Sequence, residues 1–513
     1  MVEHYELAKE ANSVDSDTLK AVLVDAGFTR KLTEPQLRNV CKMALMPAAA
    51  TFSVPGAGKT TEALAFFFFK AKDEDRLLVI APKNAFAAWD EEKTECVPKA
   101  PESFTRLRGG RARIKELLDK NPRFMLITYQ QLIQDNVNDL ISAYCDENRA
   151  FVFLDESHRI KTGTGIQSRT VLGLAHLPVG KLILSGTPMP QAVADLEPQF
   201  KFLYPEVSTI SKNMVQLFRP VFVRTNKKEL NLPDITTKVI EVPMDPLQRE
   251  VYNLMSSETL RQARLAKNTR TEFRALGRSV MRLLQFASNP ALLSSQMEDA
   301  HSERLGAVLA QGDGPKIRAV LNRIRQFAPE QKIIVWTSFV KNVEYLAFRL
   351  AHLGAVYIHG GVDSGDEEDD ESREGKIKLF HDNPNVRVLV ANPAAAGEGV
   401  SLHKICHYAI YLDRTFNAAH YMQSQDRIHR VGLKPDQKTL IEVFQCKSSV
   451  DDTVRQRLST KMKAMKQALD DPSIQIDPFP IDLSNSEDVE DTTGVIDQSD
   501  VDQLINDLQS SEA

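Results

Sequence analysis

Short apolar runs alternate with segments of helical periodicity along most of the chain, a pattern typical of parallel β-sheets covered by helices. Each run is long enough for one buried strand and too short for a buried helix. The predicted strands of the first half are Ala48–Thr51, Leu77–Ala81, Phe124–Tyr129, Phe151–Leu154 and Lys181–Ser185. The pattern returns after residue 315, with predicted strands at Lys332–Ser338, Val356–Gly360, Val386–Ala391 and His407–Leu412. The sequence therefore predicts an α/β fold with two parallel-sheet lobes.

Other stretches have a different character. Residues 1–30 are mixed and helical, and from Gln248 to about Gly314 basic residues lie between apolar ones at helical spacing, as on a solvated helix face or a nucleic-acid surface. Asp363–Glu374 is almost wholly acidic, which favours a mobile solvated loop. We expect an N-terminal helical segment at 1–30, a first lobe at 31–227, a helical protrusion and linker at 228–314, a second lobe at 315–470 and an acidic tail at 471–513.

The tail contains one exception to its polar composition. Residues 484–513 carry many acids and no Lys or Arg, which predicts disorder. Within them, the apolar residues of Ser499–Leu508 recur at helical spacing behind a Ser-x-x-Asp start. This segment is either a helix that docks a protein partner or one that folds back onto the body of the molecule.

Composition narrows the class of protein. The 513 residues suffice for two or three domains, and the net charge of -5 means that any nucleic-acid site is a local basic surface on an acidic body. Five scattered cysteines without a C-x-x-C pair predict free thiols in a reducing compartment and disfavour zinc. No apolar run could span a bilayer, and the charged N-terminus lacks a signal-peptide core. We expect an intracellular protein, nuclear in a eukaryote and in the cytoplasm or nucleoid of a bacterium or phage.

The clearest candidate chemistry is a phosphate loop between the first predicted strand and a helix. The run Phe52–Thr61 places Gly56 and Gly58 where the backbone must approach an anion, and a helix N-terminus follows. Lys59 would reach the β- and γ-phosphates of ATP, and the Thr60 hydroxyl would hold Mg²⁺. We assign Pro55, Gly56, Ala57, Gly58, Lys59, Thr60 and Thr61 to nucleotide binding. The usual first glycine of this motif is Ser53 here.

Paired acids follow a later strand. Asp155 and Glu156 come directly after Phe151–Leu154, where two carboxylates are costly unless a cation offsets them. Asp155 would bind Mg²⁺, and Glu156 would orient and deprotonate the attacking water. Ser185 and Thr187 end the next strand, where their hydroxyls either sense the γ-phosphate or belong to a simple turn. Upstream, Gln36 is either an adenine clamp or a polar surface residue.

The second lobe offers two arginines. Arg427 and Arg430 are three residues apart, so on a helix they would share a face. Two guanidinium groups presented together suit a polyphosphate and the charge that develops during its transfer. We therefore predict that they complete the catalytic set as arginine fingers.

In order, Gln36, Gly58–Thr60, Asp155–His158 and Ser185–Pro188 resemble the motifs of superfamily-two helicases. The resemblance is to the Swi/Snf-type DNA translocases in particular. It rests on the runs Asp155–Lys161, Leu184–Gln191, Phe218–Lys228, Ala81–Lys83 with Trp89, and Gln423–Gly432. It covers roughly residues 30–465. The sequence departs from that family at Leu433, at Phe416-Asn417-Ala418 and at Ala396.

The resemblance implies two RecA-like lobes that share one ATP site and an ATP hydrolase that moves along double-stranded DNA. It also implies that Gly397 and Gly399 bind the nucleotide, and that backbone phosphates of the DNA meet residues in several motifs. By motif position these are Lys83, Thr128, Thr337, Ser401 and Gln423. Two other functions remain open: a strand-separating DNA or RNA helicase, and an ATP-gated protein-interaction switch that docks a partner through the acidic tail.

Overall fold

The computed structural model describes residues 3–10, 13–99, 102–134, 136–160, 165–207, 214–265, 270–296, 302–363, 369–396, 401–434, 436–471 and 498–512. The described residues fall into two compact units. Unit 1 contains those within Met1–Asn231 and Ala464–Ile474, and unit 2 contains those within Leu232–Lys463 and Gln475–Ala513.

In unit 1, three N-terminal helices precede the first strand, and strands and helices then follow one another along the chain. The helices are α1 Glu3–Glu10, α2 Ser16–Asp25, α3 Glu34–Met43, α4 Lys59–Lys70, α5 Phe86–Cys96, α6 Arg111–Leu118, α7 Tyr129–Leu132, α8 Val137–Glu147, α9 Ile166–Gly173, α10 Leu196–Leu203 and α11 Met214–Phe218. The strands are β1 Ala48–Thr51, β2 Arg76–Ile80, β3 Thr105–Arg106, β4 Phe124–Ile127, β5 Ala150–Asp155, β6 Gly180–Leu184 and β7 Phe222–Val223.

These strands form a parallel sheet in the order β3-β4-β2-β5-β6-β1-β7. Aromatic side chains from the sheet and from α4 form part of the core, with Phe67 edge-to-face against Phe151 at a centroid distance of 5.3 Å. The register sets Leu184 opposite both Thr51 and Asp155. The loops that follow β1, β5 and β6 therefore leave the sheet at the same carboxyl edge, where α/β sheets place their ligand sites.

Unit 2 contains a second set of strands and helices. Its strands are β8 Ile235–Val242, β9 Lys332–Trp336, β10 Ala355–Ile358, β11 Val388–Ala391, β12 Cys406–Tyr411 and β13 Thr439–Cys446. Its helices are α12 Pro246–Leu265, α13 Arg270–Ser288, α14 Ser302–Leu309, α15 Pro315–Arg325, α16 Val340–Arg349, α17 Arg373–Asp382, α18 Pro393–Ala396, α19 Ala418–Gln425, α20 Val450–Leu469 and α21 Gln498–Glu512. The last residues of α20 are grouped with unit 1.

The strands of unit 2 also form a parallel sheet, in the order β10-β11-β9-β12-β13-β8. Side chains from α15, α16 and the inner strands form a continuous apolar core that includes Ile317, Ile333, Leu346, Val388 and Phe444. Parallel strands joined by covering helices in both units confirm the predicted α/β fold with two RecA-like lobes.

The segment 228–314 differs in part from the predicted helical protrusion. It opens with β8, which pairs with β13 along the edge of the second sheet. β-Branched residues predominate in β8, and most of its residues are only half-buried or exposed, as expected of an edge strand. Helices occupy the rest of the described segment.

The C-terminal helix α21 folds back onto unit 2. Asp500 is 1% exposed and accepts hydrogen bonds from Arg457 Nε at 2.6 Å and Lys461 Nζ at 2.8 Å. Leu504 is buried, and Thr453 Oγ1 donates to Asp507 Oδ2 at 2.7 Å. Of the two alternatives for this segment, the structure therefore has the intramolecular one, and the helix extends beyond the predicted Ser499–Leu508 to Gln498–Glu512.

The predicted acidic loop and acidic tail lie only partly within the described residues. Residues 364–368 of the acidic loop and 472–497 of the tail lie outside the described residues, and α17 already begins at Arg373. In the part of the chain that the structure describes, no helix combines the length and apolarity needed to cross a membrane.

Candidate active site

The phosphate loop of unit 1 is shaped by backbone that only glycine adopts easily. Gly56 and Gly58 have φ values of 86° and 82°, in the left-handed region. A Cβ atom at Gly58 would lie 2.2 Å from Gln36 Nε2, so this position also lacks room for a side chain. Gln36 Nε2 donates to the Ala57 carbonyl at 3.2 Å, and its Oε1 accepts from the Thr33 backbone at 2.9 Å. The structure thus brings the Gln36 amide into contact with the phosphate loop.

Lys59 begins α4 at the end of this loop. Its Nζ donates to the Ser53 carbonyl at 3.0 Å, which holds the ammonium across the loop. Backbone N–H groups at the start of α4 face the same region, and together with the ammonium they provide the positive potential that an anionic phosphate requires. Thr60 follows in the first turn, and Thr61 Oγ1 donates to Glu92 Oε1 at 2.5 Å. The Thr61 hydroxyl is therefore engaged within the protein.

Asp155 is the last residue of β5, and Glu156 begins a strained turn directly after it. Trp89 Nε1 donates to Asp155 Oδ2 at 2.9 Å, and the Glu156 backbone donates to Asp155 Oδ1 at 3.0 Å. Tyr129 Oη donates to the Asp155 carbonyl at 2.9 Å. Glu156 has a φ of 50°, which an L-residue rarely adopts. Backbone strain of this kind is concentrated at functional sites.

The two carboxyl groups have different electrostatic environments. Burial and the neighbouring Glu156 raise the pKa of Asp155 above its ordinary value. Burial also opposes ionisation of Glu156, but His158 and Lys59 outweigh it and lower the pKa of Glu156. His158 Nδ1 lies 3.3 Å from Glu156 Oε2. These neighbours favour the ionised form of Glu156, which is the form that can accept a proton from water.

A short polar chain connects the acid pair with the loop after β6. His158 Nδ1 lies 3.1 Å from Ser185 Oγ, and this oxygen also accepts from the Thr187 backbone at 3.1 Å. Gly186 packs closely against the phosphate loop, because a Cβ there would lie 2.8 Å from Pro55 Cδ. The loop after β6, for which the sequence leaves γ-phosphate sensing and a simple turn open, therefore lies beside both the acid pair and the phosphate loop.

The arginine pair lies in unit 2, where the structure differs from the predicted helix. The helix α19 ends at Gln425, so Arg427 lies in the following turn and Arg430 beyond it. Arg427 is 8% exposed, its Nε donates to the Gln423 carbonyl at 2.9 Å, and its own carbonyl accepts from Leu402 at 2.8 Å. Arg430 is half-buried. Beyond the end of the helix, the Arg427 side chain satisfies the Gln423 carbonyl and the Leu402 N–H satisfies the Arg427 carbonyl.

The candidate DNA contacts differ in how far their side chains are exposed. Thr337 is fully buried and donates to Asp413 Oδ2 at 2.6 Å, and Gln423 is also buried, so neither presents its side chain at the surface described. Ser401 Oγ lies 3.0 Å from His403 Nδ1, and Thr128 Oγ1 caps α7 by accepting from the Gln131 backbone at 3.0 Å. Lys83 is exposed. Gly397 and Gly399 lie outside the described residues.

Several contributors were not foreseen. The sequence marks Trp89 only as part of a motif, whereas in the structure its indole donates to Asp155. Tyr129 ends a predicted strand, but its hydroxyl donates to the Asp155 carbonyl, and no sequence pattern pairs Pro55 with Gly186. No spacing rule joins residues this far apart in the chain, so only the sheet register could have placed them together.

The donor set suits Mg²⁺. Mg²⁺ binds through one or two protein oxygens and fills its other positions with water and substrate phosphate. The Asp155 carboxylate and the Thr60 hydroxyl supply such oxygens, and a divalent cation would offset the burial of the acid pair. Within the described residues no group of three or more His, Cys, Asp or Glu side chains could hold a metal ion by itself.

Two protein-family models match the chain. The SNF2-related domain matches residues 53–210, and the helicase conserved C-terminal domain matches residues 315–432. The first range contains the phosphate loop and acid pair, and the second contains both arginines.

Curated relatives align over most of the chain. The chromatin remodeling factor mit1 of Schizosaccharomyces pombe is 23% identical over 514 residues, which cover 87% of this chain and 35% of mit1. The putative ATP-dependent helicase/translocase YwqA of Bacillus subtilis is 24% identical over 467 residues, which cover 84% of this chain and 47% of YwqA. The chain thus spans half or less of the length of these relatives. A solved structure of the Sulfolobus solfataricus SWI2/SNF2 ATPase core in complex with dsDNA is 20% identical, with a TM-score of 0.37 over 86% of this chain and 92% of that chain.

Proposed function

The chain belongs to the Swi/Snf-type family of the superfamily-two helicases, and from this premise we propose that it is an ATP-dependent translocase acting on double-stranded DNA. One observation carries the proposal: in unit 1 the carboxyl edge of the sheet brings together Gln36 and Lys59 on one side and the Asp155–Glu156 pair on the other. These are the groups that bind and hydrolyse a nucleoside triphosphate.

Each side chain has a distinct task in the proposed reaction. Gln36 reads the adenine edge through its amide, and the backbone of the phosphate loop with Lys59 binds the β- and γ-phosphates. Thr60 and Asp155 would hold Mg²⁺, which would supply charge neutralisation at the phosphates when bound. Glu156 orients the attacking water and accepts its proton.

The arginines of unit 2 complete the set. Arg427 and Arg430 stabilise the charge that develops on the γ-phosphoryl group during transfer, while Gly397 and Gly399 help to bind the nucleotide. We propose that hydrolysis is coupled to closure of the two lobes, and that alternating closure moves the protein along the duplex.

The relatives suggest how this activity is used. Mit1 is named a chromatin remodeling factor and YwqA a putative helicase/translocase. We infer that movement along DNA serves here to remodel protein–DNA complexes. Lys83, Thr128 and Ser401 remain the candidate phosphate contacts whose side chains are exposed or half-buried.

ATP turnover with different nucleic acids tests the proposal. We expect duplex DNA to stimulate ATP hydrolysis without strand displacement, and Lys59→Ala to abolish the stimulated rate. Binding to duplex DNA should weaken steeply between about 50 and 200 mM salt, because contacts to phosphates release counterions. Stimulation by single strands or RNA with strand displacement would instead identify a helicase. No response to any nucleic acid would refute both functions.

A further inference from the structure

Five polar side chains form a buried hydrogen-bond network at the base of the phosphate loop in unit 1. We call it the Asn39 cluster: Asn39, Thr51, Ser53, Glu62 and Thr225, none of which is more than 2% exposed. Asn39 Nδ2 lies 2.8 Å from Glu62 Oε1, 2.9 Å from Thr225 Oγ1 and 3.3 Å from Ser53 Oγ. Thr51 Oγ1 donates to Glu62 Oε2 at 2.6 Å. A carboxyl group buried this deeply is costly without such donors.

The orientation of the Asn39 amide is fixed from outside the cluster. Arg38 donates to Asn39 Oδ1 through Nε at 3.2 Å and through Nη2 at 3.0 Å. An amide oxygen is the acceptor that guanidinium donors require, so the amide nitrogen must face Glu62 and Thr225. The same Arg38 Nη2 donates to the Arg224 carbonyl at 2.9 Å, which ties α3 to the end of β7.

The cluster touches the candidate nucleotide site at two points. Asn39 lies on α3 one turn after Gln36, whose amide donates to the Ala57 carbonyl of the phosphate loop at 3.2 Å. Ser53 opens the loop, and its carbonyl accepts from Lys59 Nζ at 3.0 Å. A shift of Asn39 therefore moves the base-reading glutamine and the loop that holds the lysine.

The Ser53 side chain attaches the phosphate loop to neighbouring segments of unit 1. It stands where phosphate loops of this kind usually have glycine, and its hydroxyl accepts from the Thr225 backbone at 3.0 Å. Thr51 Oγ1 lies 3.2 Å from the same hydroxyl oxygen. The loop is thus fastened through a side chain that glycine would not supply, and Asn39 spans Ser53, Thr225 and Glu62 at once.

We propose that Asn39 is a positioning residue for nucleotide binding: by bonding Glu62 and Thr225 it holds Gln36 and the phosphate loop in the conformation that receives ATP. This inference rests on the proposed ATP-binding function of the same site. The rival explanation is that the cluster only stabilises the fold, as many buried polar networks do. The two explanations make different predictions for protein that lacks Asn39 and remains folded. A positioning role predicts a change in nucleotide affinity, and a purely stabilising role predicts none.

A double-mutant cycle on the full chain distinguishes them, with fluorescent ADP binding and the KM and kcat for ATP as readouts. Asn39→Ala leaves the Glu62 carboxylate without its amide donor, and we expect nucleotide affinity to fall roughly tenfold and KM to rise in parallel, with kcat changed less. Glu62→Gln should have a smaller effect, because its amide oxygen still accepts from Asn39 and its amide nitrogen can donate to Thr51. Asn39→Ala with Glu62→Gln should bind nucleotide more tightly than Asn39→Ala alone, since no unmatched charge remains.

A matched control isolates the effect of the position. Asn342 is a fully buried amide in unit 2 that donates to Ser288 Oγ at 2.9 Å. Asn342→Ala should cost comparable thermal stability and leave ADP affinity within about twofold, the resolution expected for an independent site. If Asn39→Ala does not fold, Asn39→Ser retains a short donor and should show an intermediate loss of affinity.

Two results would overturn the inference. One is unchanged nucleotide affinity and KM in folded Asn39→Ala or Asn39→Ser, and the other is strictly additive effects in the cycle. Either result could occur while duplex DNA still stimulates the wild-type protein. The role of Asn39 can therefore be refuted while the proposed function stands. Conversely, loss of ADP affinity in a chain that no DNA stimulates would refute the translocase and leave the role of Asn39 in place.

Discussion

Gly58 occupies a position that another residue could take only by displacing Gln36. Its φ of 82° is unfavourable for L-residues, and an added Cβ would lie 2.2 Å from the glutamine amide. The conformational cost alone is about 1–2 kcal/mol, and the clash adds to it. The phosphate loop therefore depends on this glycine for both its backbone and its contact with α3.

Gly58→Ala should accordingly abolish or strongly weaken nucleotide binding while most of the fold survives. The matched control is Gly173→Ala at the exposed end of α9, where an added Cβ would meet nothing within 4 Å. That change should leave nucleotide binding unaltered and the melting temperature the same or slightly higher. Equal nucleotide affinity in the two variants would contradict the described loop geometry.

Trp89 offers a second test of the site because the chain contains only one other tryptophan. Trp89→Phe keeps an aromatic ring but removes the indole N–H that donates to Asp155 at 2.9 Å. Hydrogen bonds to charged groups contribute about 1.5–3 kcal/mol, so we expect roughly tenfold or greater loss of turnover and a higher Mg²⁺ requirement. Steady-state ATP hydrolysis across a Mg²⁺ titration measures both.

Trp336 is the control for this prediction. It is also fully buried, on β9, and its indole nitrogen has no hydrogen-bond partner within the described chain. Trp336→Phe should lower the melting temperature without changing the Mg²⁺ requirement. If both variants change the Mg²⁺ requirement equally, the effect of Trp89→Phe comes from lost packing and not from the lost hydrogen bond to Asp155.

Among the elements, α21 is held mainly by one buried acid. Asp500 bridges Arg457 and Lys461, and removal of one partner from a buried ion pair costs about 3–5 kcal/mol. Among the described side chains of α21, Asp500 and Leu504 are the buried ones, so we expect Asp500→Asn to release α21 locally rather than to unfold unit 2.

Hydrogen exchange of residues 498–512 measures this release. Amides of α21 should lose protection in Asp500→Asn and keep it in Gln509→Ala, because Gln509 is exposed. Unchanged protection in Asp500→Asn would show that Leu504 and the remaining contacts suffice to dock the helix.

The strands that the sequence predicted and those it missed differ in their polar residues. Uninterrupted apolar runs such as Phe151–Leu154 identified strands directly, and glycine with lysine identified the phosphate loop. The strand β13 was missed because Glu442 and Gln445 interrupt its apolar pattern, although both are buried. Arg323 neutralises Glu442 through two hydrogen bonds of 2.6 and 2.8 Å, a partner that lies more than a hundred positions away. The Asn39 cluster escaped prediction for the same reason, since Thr225 meets it only in the folded unit.

In the molecule as a whole, the candidate catalytic groups are distributed over both units. Unit 1 contains the phosphate loop and the acid pair, and unit 2 contains both arginines. Each half is incomplete as a catalyst according to the proposed function, because binding of the nucleotide and stabilisation of the transferred phosphoryl group depend on different units. Neither unit alone should hydrolyse ATP at the stimulated rate.

The most direct test of whether catalysis needs groups from both units is the Arg430→Ala variant. Single-turnover ATP hydrolysis and nucleotide affinity are measured on the same preparation in the presence of duplex DNA. We predict that hydrolysis falls by about 10³-fold or more, as for other arginine fingers, while nucleotide affinity changes only a few-fold because Lys59 and the phosphate loop remain intact. Normal DNA-stimulated hydrolysis in Arg430→Ala would contradict the account.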